Sequence, residues 1–475
     1  MIKDALPNNI SRLSKSLQKY LADVSYDSVL QAVQTFVRQS GLRLKAGEWV
    51  DGSEPDITKH HDDHLDFTID AYTKKNATLE PFVEKHIVSP QSKIITIGDL
   101  HGNLESLIEI VLDLQKQGFL DEDLTIIQDN IYLVFVGDYV NRMSYSVEVM
   151  LLLFHLYAQN IGSVFLLRGN HEITSCVKHF YDMYHDRDEH GVSTDTLLGE
   201  FARKFDTYYF PDLLYWFDYL PSANYIGCLN EQTKKINVIQ FCHAGLEIGF
   251  TPKKLFEQES ARFQNILSLD RYSALQELLT DATLAQSVRD RVKFVFAQLQ
   301  KIFIENHKDA YLMWLNSYLE NESCLFSNAE SFRVNMLGLL VGMFLTEENN
   351  DIEFSSYSQG RSLYFGKTLT QYLLQKQSSE SFLLRSIVRG HQHLNSQDER
   401  LGLDSLMLDV LTEGRGLACQ WNGLVYTLGD NGIKVPYQSY MIISLHENSE
   451  KWQVEYFSKS RHDDDFEKKK KAFLD

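Results

Sequence analysis

A chain of 475 residues, 44% hydrophobic and 12% aromatic, can bury a large core, which excludes disorder as its main state. Its formal net charge of −19 argues against nucleic acid or an anionic membrane surface as the main partner. The five cysteines (Cys176, Cys228, Cys242, Cys324, Cys419) have no CxxC spacing and read as the reduced thiols of a cytoplasmic-type protein, and no apolar run is long enough to span a bilayer.

Along the chain, Leu13, Leu17 and Leu21, then Val29, Val33 and Val37, have helical spacing and predict two amino-terminal helices that pack on the main body. No signal-peptide pattern precedes them. The tract His60-His61-Asp62-Asp63-His64 carries ligand-type residues but lies in a polar, turn-rich stretch and reads as a solvated loop.

The next stretch organises the chain. Lys93 to Ile97 is apolar and runs into Gly98-Asp99-Leu100-His101-Gly102. Four later apolar runs also end in glycine and potential ligands: Ile131 to Val136 in Gly137-Asp138-Tyr139-Val140-Asn141-Arg142, Val164 to Leu167 in Arg168-Gly169-Asn170-His171-Glu172, Val238 to Cys242 in His243-Ala244-Gly245, and Phe382 to Val388 in Arg389-Gly390-His391. Helical segments Leu104 to Gln117 and Ser146 to Gln159 separate the first three. This alternation predicts parallel strands with crossover helices, and ligands gather beyond the carboxyl ends of such strands. Cys242 sits within a strand run and reads as a small strand residue rather than a nucleophile.

Together the strand ends offer two carboxylates, an amide oxygen and imidazoles. Asp138 can bridge two metals, with Asp99 and His101 completing one site and Asn170, His243 and His391 the other. Mixed oxygen and nitrogen ligands without thiolate suit Mn²⁺, Fe or Zn²⁺. Two such ions activate a bridging water for in-line phosphoryl displacement. Arg142 offers a planar fork for phosphate oxygens, and His171, next to Asn170, can protonate a leaving group.

Between Thr251 and about Leu345 the pattern turns helical. Leu255, Phe263, Ile266, Leu275, Leu278 and Leu279 form one group, and Val292, Val295, Phe296, Leu299, Ile302 and Phe303 another, around a charged bend near Arg289-Asp290-Arg291. Stripes at this spacing are core or helix seam, with a partner-binding hairpin over 251–305 as the second reading. Strand-like segments follow at Gly423 to Leu428, Tyr440 to Leu445 and Trp452 to Phe457. The end, from Arg461 through the lysine run Lys468 to Lys471, reads as a solvated, helical or frayed tail.

The series GDLHG, GDYVNR, LLRGNHE, FCHAG and RGH, in this order, resembles the PPP family of metal-dependent phosphoprotein phosphatases, from about Ile94 to Phe457. Tyr219-Leu220-Pro221, Leu312-Met313-Trp314-Leu315 and Arg361 to Gly366 support the likeness. The resemblance implies an α/β metallophosphoesterase fold, with a central β-sandwich flanked by helices, and it implies the two-metal ligand set above. It also implies a second phosphate-binding arginine, for which Arg361 is the candidate. The expected division is an N-terminal helical and loop extension over 1–90, a metallophosphatase core over 91–250 and 346–460, a helical insertion over 251–345 and a charged tail over 461–475.

The family usually has aspartate where this chain has Asn141, in GDxxDRG, and that aspartate would pair with His171. Asn141 can orient the ring but adds no charge, so the acid is less basic, which implies a lower-pH optimum or a preference for good leaving groups and hence tolerance of phosphotyrosine. Met143 stands for a glycine, His243-Ala244-Gly245 stands for HGG, and the helical insertion is foreign to the eukaryotic enzymes. In this divergence the chain resembles bacterial PPP-type phosphatases, including secreted effectors such as the Wip proteins of Legionella that act on host phosphoproteins. Two other functions fit the same residues: a small-molecule metallophosphoesterase acting on a dinucleoside polyphosphate or phosphodiester, and a catalytically weakened scaffold that binds through its hairpin.

Overall fold

The computed structural model of the chain describes residues 6–52, 81–173, 196–205, 211–245, 248–266, 271–306, 367–391, 437–460 and 467–472, with short pieces at 177, 319, 344–345, 354–357, 362–365, 419–421 and 425–428. The strands are β1 (Glu48–Trp49), β2 (Phe82–Val88), β3 (Lys93–Ile97), β4 (Ile131–Phe135), β5 (Val164–Leu166), β6 (Ala223–Asn230), β7 (Lys235–Cys242) and β8 (Ala261–Asn265). There follow β9 (Phe344–Leu345), β10 (Phe354–Tyr357), β11 (Ser362–Phe365), β12 (Phe382–Arg389), β13 (Cys419–Trp421), β14 (Val425–Leu428), β15 (Tyr437–Ser444), β16 (Gln453–Ser460) and β17 (Glu467–Ala472). They form an eight-stranded sheet, β1-β8-β2-β6-β7-β12-β14-β13, a six-stranded sheet, β17-β16-β15-β3-β4-β5, and a small sheet, β10-β11-β9.

Alternation along the strands turns the two large sheets into a sandwich, because successive side chains point to opposite faces. Ile94, Val134 and Phe165 of the six-stranded sheet share one buried cluster with Ile226, Ile239, Phe241 and Val388 of the other. Their neighbours Ile95, Ile97 and Leu133 point outward and are covered by Leu107, Val111, Met150 and Leu153, which belong to the helices Leu104–Lys116 and Ser146–Gln159. The helix Tyr26–Ala46 adds Val29, Val33 and Phe36 to that layer, and Leu13, Leu17 and Leu21 pack there too. On the other side, Val83, Tyr225 and Val238 lie under Leu278, Val292, Val295, Phe296, Leu299 and Leu369. The layers therefore run helix, sheet, sheet, helix, the α/β sandwich that the resemblance implies. Among the described residues no helix is long and apolar enough to cross a membrane.

Some elements differ from their sequence reading. Residues 467–472 form β17 at the edge of the six-stranded sheet, paired antiparallel to β16, and not a helical or frayed end. Lysines suit that place, because charge on an edge strand discourages further pairing. Phe263 belongs to β8, which pairs with β1 and β2, so the stretch after Thr251 is not helical throughout. The helices Arg271–Thr280 and Gln286–Glu305 turn at 281–285 rather than at Arg289-Asp290-Arg291. Asp281 makes that turn by accepting bonds from Thr283 N and Oγ1 at 2.8 and 2.6 Å. Val292, Val295, Phe296 and Leu299 of the second helix are buried core, and Ile302 packs against it half-buried.

β2 was hidden in the expected N-terminal extension by its charged residues Glu84, Lys85 and His86. They are tolerated because distant groups compensate them. Arg43 meets Glu84 at 2.5 Å and Arg262 meets it at 2.9 Å. Burial works to raise Glu84, but Arg43, His86 and Arg262 outweigh it and hold the carboxyl well below its usual range. The His60–His64 tract, Arg361, Cys176, Cys324 and Leu312–Leu315 lie outside the described residues.

Candidate metal centre

β3, β4 and β5 run parallel, as do β7 and β12, so their carboxyl ends can deliver side chains to one place. The chain then turns through conformations that L-residues resist: φ is 45° at His101, 54° at Asp138, 68° at Asn141, 74° at Arg142 and 70° at His391. Each such residue costs on the order of 1–3 kcal/mol and persists only where its surroundings over-determine it. Here they do. The Asp138 carbonyl accepts N–H bonds from Leu100 and His101 at 2.9 and 2.8 Å, and Tyr139 O accepts one from Gly102 at 2.7 Å. Two glycines permit the crossing of strand ends. A Cβ on Gly169 would lie 2.1 Å from Asp138 N, and one on Gly390 would lie 2.1 Å from Asp99 Oδ1.

The ligand-type atoms converge around Asp138 and His243, both buried. His243 Nδ1 bonds the Val136 carbonyl at 3.0 Å, which turns Nε2 inward. There Nε2 lies 2.9 Å from Asn170 Oδ1, 3.1 Å from His391 Nδ1 and 3.2 Å from Asp138 Oδ2. On the other side, His101 Nδ1 faces Val140 O at 3.3 Å and its Nε2 lies 3.6 Å from Asp138 Oδ2. Asp138 Oδ1 accepts the His171 N–H at 2.9 Å, whereas Oδ2 is buried without a hydrogen bond. Asp99 accepts the His391 N–H with both oxygens at 3.1 Å and comes within 3.7 Å of His243 Nδ1.

Two groups, His101 with Asp138 and His171, and Asp138 with His243 and His391, each bring their ligand atoms within 4.8 Å of one another. A buried carboxylate oxygen left without a donor and flanked by imidazole nitrogens fits a divalent cation, and the absence of thiolate in these groups fits Mn²⁺, Fe or Zn²⁺. The electrostatics agree. Burial would raise Asp138, but His243, His171 and His101 hold it well below the usual range. Burial would lower His243, but the carboxylates of Asp138 and Asp99 push it up to about 9. The cluster favours positive charge at this point.

His171 and Arg142 stand at the rim. Asn141 Oδ1 accepts the Leu197 backbone N–H at 2.8 Å. A backbone N–H can only donate, so this bond settles which way the amide points. Asn141 Nδ2 then faces His171 Nδ1 at 3.1 Å. Arg142 is half-buried, with Nη2 3.3 Å from His171 Nε2.

Three supporting groups escaped the sequence reading. Glu172 is buried and accepts N–H bonds from Asp138, Tyr139 and Gly169 at 2.7, 2.8 and 3.0 Å, tying the ends of β4 and β5 together. Burial pushes its carboxyl up to about 8, the Asp138 charge adds to the rise, and the Tyr139 and Asp138 N–H groups oppose it. Arg168 donates to Asp218 at 2.7 Å and to the Glu172 carbonyl at 3.2 Å, which gives the aromatic run before Pro221 a role in bracing the turn. Glu200 bonds the start of the helix Ser146–Gln159. The available signal for Arg168 was a charged residue directly after the apolar run Val164 to Leu167. Cys242, by contrast, is buried with its thiol pushed up to about 11, as suits a strand residue.

The chain is similar to several serine/threonine phosphatases. The catalytic subunit of serine/threonine-protein phosphatase 6 from Caenorhabditis elegans is 36% identical over 111 residues, covering 23% of this chain and 30% of that protein. The PP2A-like phosphatase PPG1 of Candida albicans is 35% identical over 161 residues, covering 34% of this chain and 31% of that one. The chain thus spans about a third of the length of these relatives. Among solved structures, a Saccharomyces cerevisiae protein serine/threonine phosphatase with similarity to human phosphatase PP5 matches with a TM-score of 0.44 at 14% identity, over 96% of each chain. A cold-active protein-tyrosine phosphatase from a Shewanella species matches with a TM-score of 0.34 at 14% identity, over 85% of this chain and 86% of that one. The model of the calcineurin-like phosphoesterase family matches residues 92–395, more than half of the sequence and all five strand-end motifs, and the chain belongs to that family.

Proposed function

We propose that the chain is a metal-dependent phosphoprotein phosphatase that hydrolyses phosphotyrosine, phosphoserine or phosphothreonine esters. The observation that carries this reading is the fully buried Asp138 Oδ2, without a hydrogen-bond donor and shared by two clusters of oxygen and nitrogen ligands. Asp99, His101 and Asp138 would hold one divalent ion and Asp138, Asn170, His243 and His391 a second. Such ions supply Lewis acidity and lower the pKa of a bound water. Arg142 holds two phosphate oxygens with its fork, a task Arg361 shares in this reading. A water oxygen forms the new P–O bond while the ester P–O bond breaks, and His171 gives the leaving oxygen its proton.

Asn141 orients His171 without adding negative charge, so the imidazolium is held less firmly than beside an aspartate and fewer molecules carry the proton at neutral pH, and aryl esters, which need that proton least, lose least by it. Phosphotyrosine is therefore within the substrate range. Protein substrates are supported by the similarity to serine/threonine phosphatases. The likeness to bacterial effector phosphatases extends the reading to phosphoproteins of a host cell.

The test is phosphate release from matched phosphotyrosine and phosphoserine/threonine peptides with Mn²⁺, beside an Asp138→Asn control. Peptide turnover is expected, with the control below about 1% of it, since loss of a geometry-setting group costs on the order of 10²-fold or more. Cleavage of a dinucleotide but no peptide would move the assignment to a small-molecule phosphoesterase. Silence on all substrates would leave a binding scaffold.

A further inference from the structure

The loop that carries Arg142 leads directly into the helix Ser146–Gln159, and that helix has no cap of its own: the side chain of Tyr145, at its N-cap, makes no capping bond. The first N–H groups of a helix have no partner within it and must find one elsewhere. Here they find Glu200. Its Oε2 accepts Ser146 N at 2.7 Å and its Oε1 accepts Val147 N at 3.2 Å, across 54 residues of sequence. Glu200 is fully buried, and Lys204, which also bonds Glu148, meets it at 2.9 Å.

The helix Leu197–Phe205, which carries Glu200, also supplies the Leu197 N–H that Asn141 Oδ1 accepts. Asn141 N donates in turn to Ser146 Oγ at 3.1 Å, and Tyr145 N donates to Gly102 O at 3.2 Å. Asn141 and Arg142 are consecutive left-handed residues, a combination that does not hold itself in place. One distant helix therefore closes this loop at both ends: a backbone N–H takes the Asn141 end, and a carboxylate takes the Ser146 end.

We propose that Glu200 is a positioning residue for phosphate binding: by capping the helix Ser146–Gln159 from a distant part of the chain, it sets the Arg142 loop in its working conformation. This rests on Arg142 holding phosphate. A buried glutamate bonded to lysine could equally serve stability alone, and the two roles separate in measurement. A purely structural group would loosen the whole site when changed. A positioning group for the Arg142 loop would weaken phosphate binding while leaving the strand-end ligands unaltered.

The experiment measures competitive inhibition by inorganic phosphate, KM for an aryl phosphate, and Mn²⁺ affinity by EPR titration, all on the full chain. Glu200→Gln keeps the shape but turns one of the two acceptor oxygens into a donor. It is expected to raise the phosphate Ki and KM roughly five- to tenfold, the scale of a lost helix cap, with Mn²⁺ affinity unchanged. In an Arg142→Ala background the same change should shift Ki no further. Ser146→Ala, which leaves Glu200 and Lys204 intact and removes the acceptor for Asn141 N, should move Ki in the same direction by less. The proposal is overturned if Glu200→Gln leaves Ki alone, if its effect adds in full to that of Arg142→Ala, or if Mn²⁺ affinity falls by the same factor. If Arg142→Ala itself leaves the phosphate Ki unchanged, Arg142 loses its assigned role, and the inference built on it falls for that separate reason.

Discussion

At the floor of the site, Asp99, His101, Asp138, Asn170, His243 and His391 each follow a strand within a few residues, and bonds between neighbouring strand ends hold all of them but Asn170, whose side chain meets His243. The loop from Asn141 to Tyr145 instead depends on Leu197 and Glu200, which come from a helix much later in the chain. The floor takes its precision from sheet register, where a slip of one residue would turn every ligand to the opposite face. The loop takes its precision from how a helix packs. In the proposed reading, the groups with the more demanding geometry stand on the sheet, and Arg142, the proposed phosphate-holding group, stands on a support that a single side chain can alter.

That contrast can be broken at several points. The largest expected effect is at the floor: Gly169→Ala drives a Cβ to 2.1 Å from Asp138 N and 2.3 Å from Asp138 Oδ1. Displacing the shared carboxylate by about 1 Å should lower turnover on the order of 10²-fold and weaken Mn²⁺ binding with it. Near wild-type values for both would show that the floor adapts and is not register-locked.

A smaller effect comes from protons. His243 must be neutral at Nε2 to act as a ligand, yet its neighbours hold its proton up to about 9. Protonation therefore competes with metal below that pH, and Mn²⁺ affinity should fall as pH falls, by up to about tenfold per unit for one displaced proton. Calorimetric titration between pH 6 and 9 measures it, and a flat profile would remove His243 from the ligand set. The smallest change is at the rim. Asn141→Asp replaces the amide that faces His171 Nδ1 with a carboxylate, and the ratio of phosphotyrosine to phosphoserine turnover should drop several-fold, by up to the order of 10-fold. An unchanged ratio would mean that Asn141 does not set leaving-group preference.

Some buried elements left no mark in the linear pattern. β2 contains Glu84, Lys85 and His86, which read as solvated until Arg43 and Arg262 are seen against Glu84 from residues 41 and 178 positions away. The strand at 467–472 read as a solvated tail because its lysines carry no periodicity of burial, and only pairing with β16 makes it a strand. Glu172 stood beside two site residues but gave no hint of its three backbone donors.

The α/β layering, the amino-terminal helices and the place of the candidate ligands just beyond strand ends could be read from the chain in one dimension. Each depends on short-range features: apolar runs that end in glycine, with Asp, Asn or His within a few residues, and helical spacing between them. The orientation of Asn141, the capping of Ser146 by Glu200 and the burial of the Glu84 charges could not, because each needs a partner from elsewhere in the sequence. Residue type limits what a group can bond, and packing decides which partner is within reach.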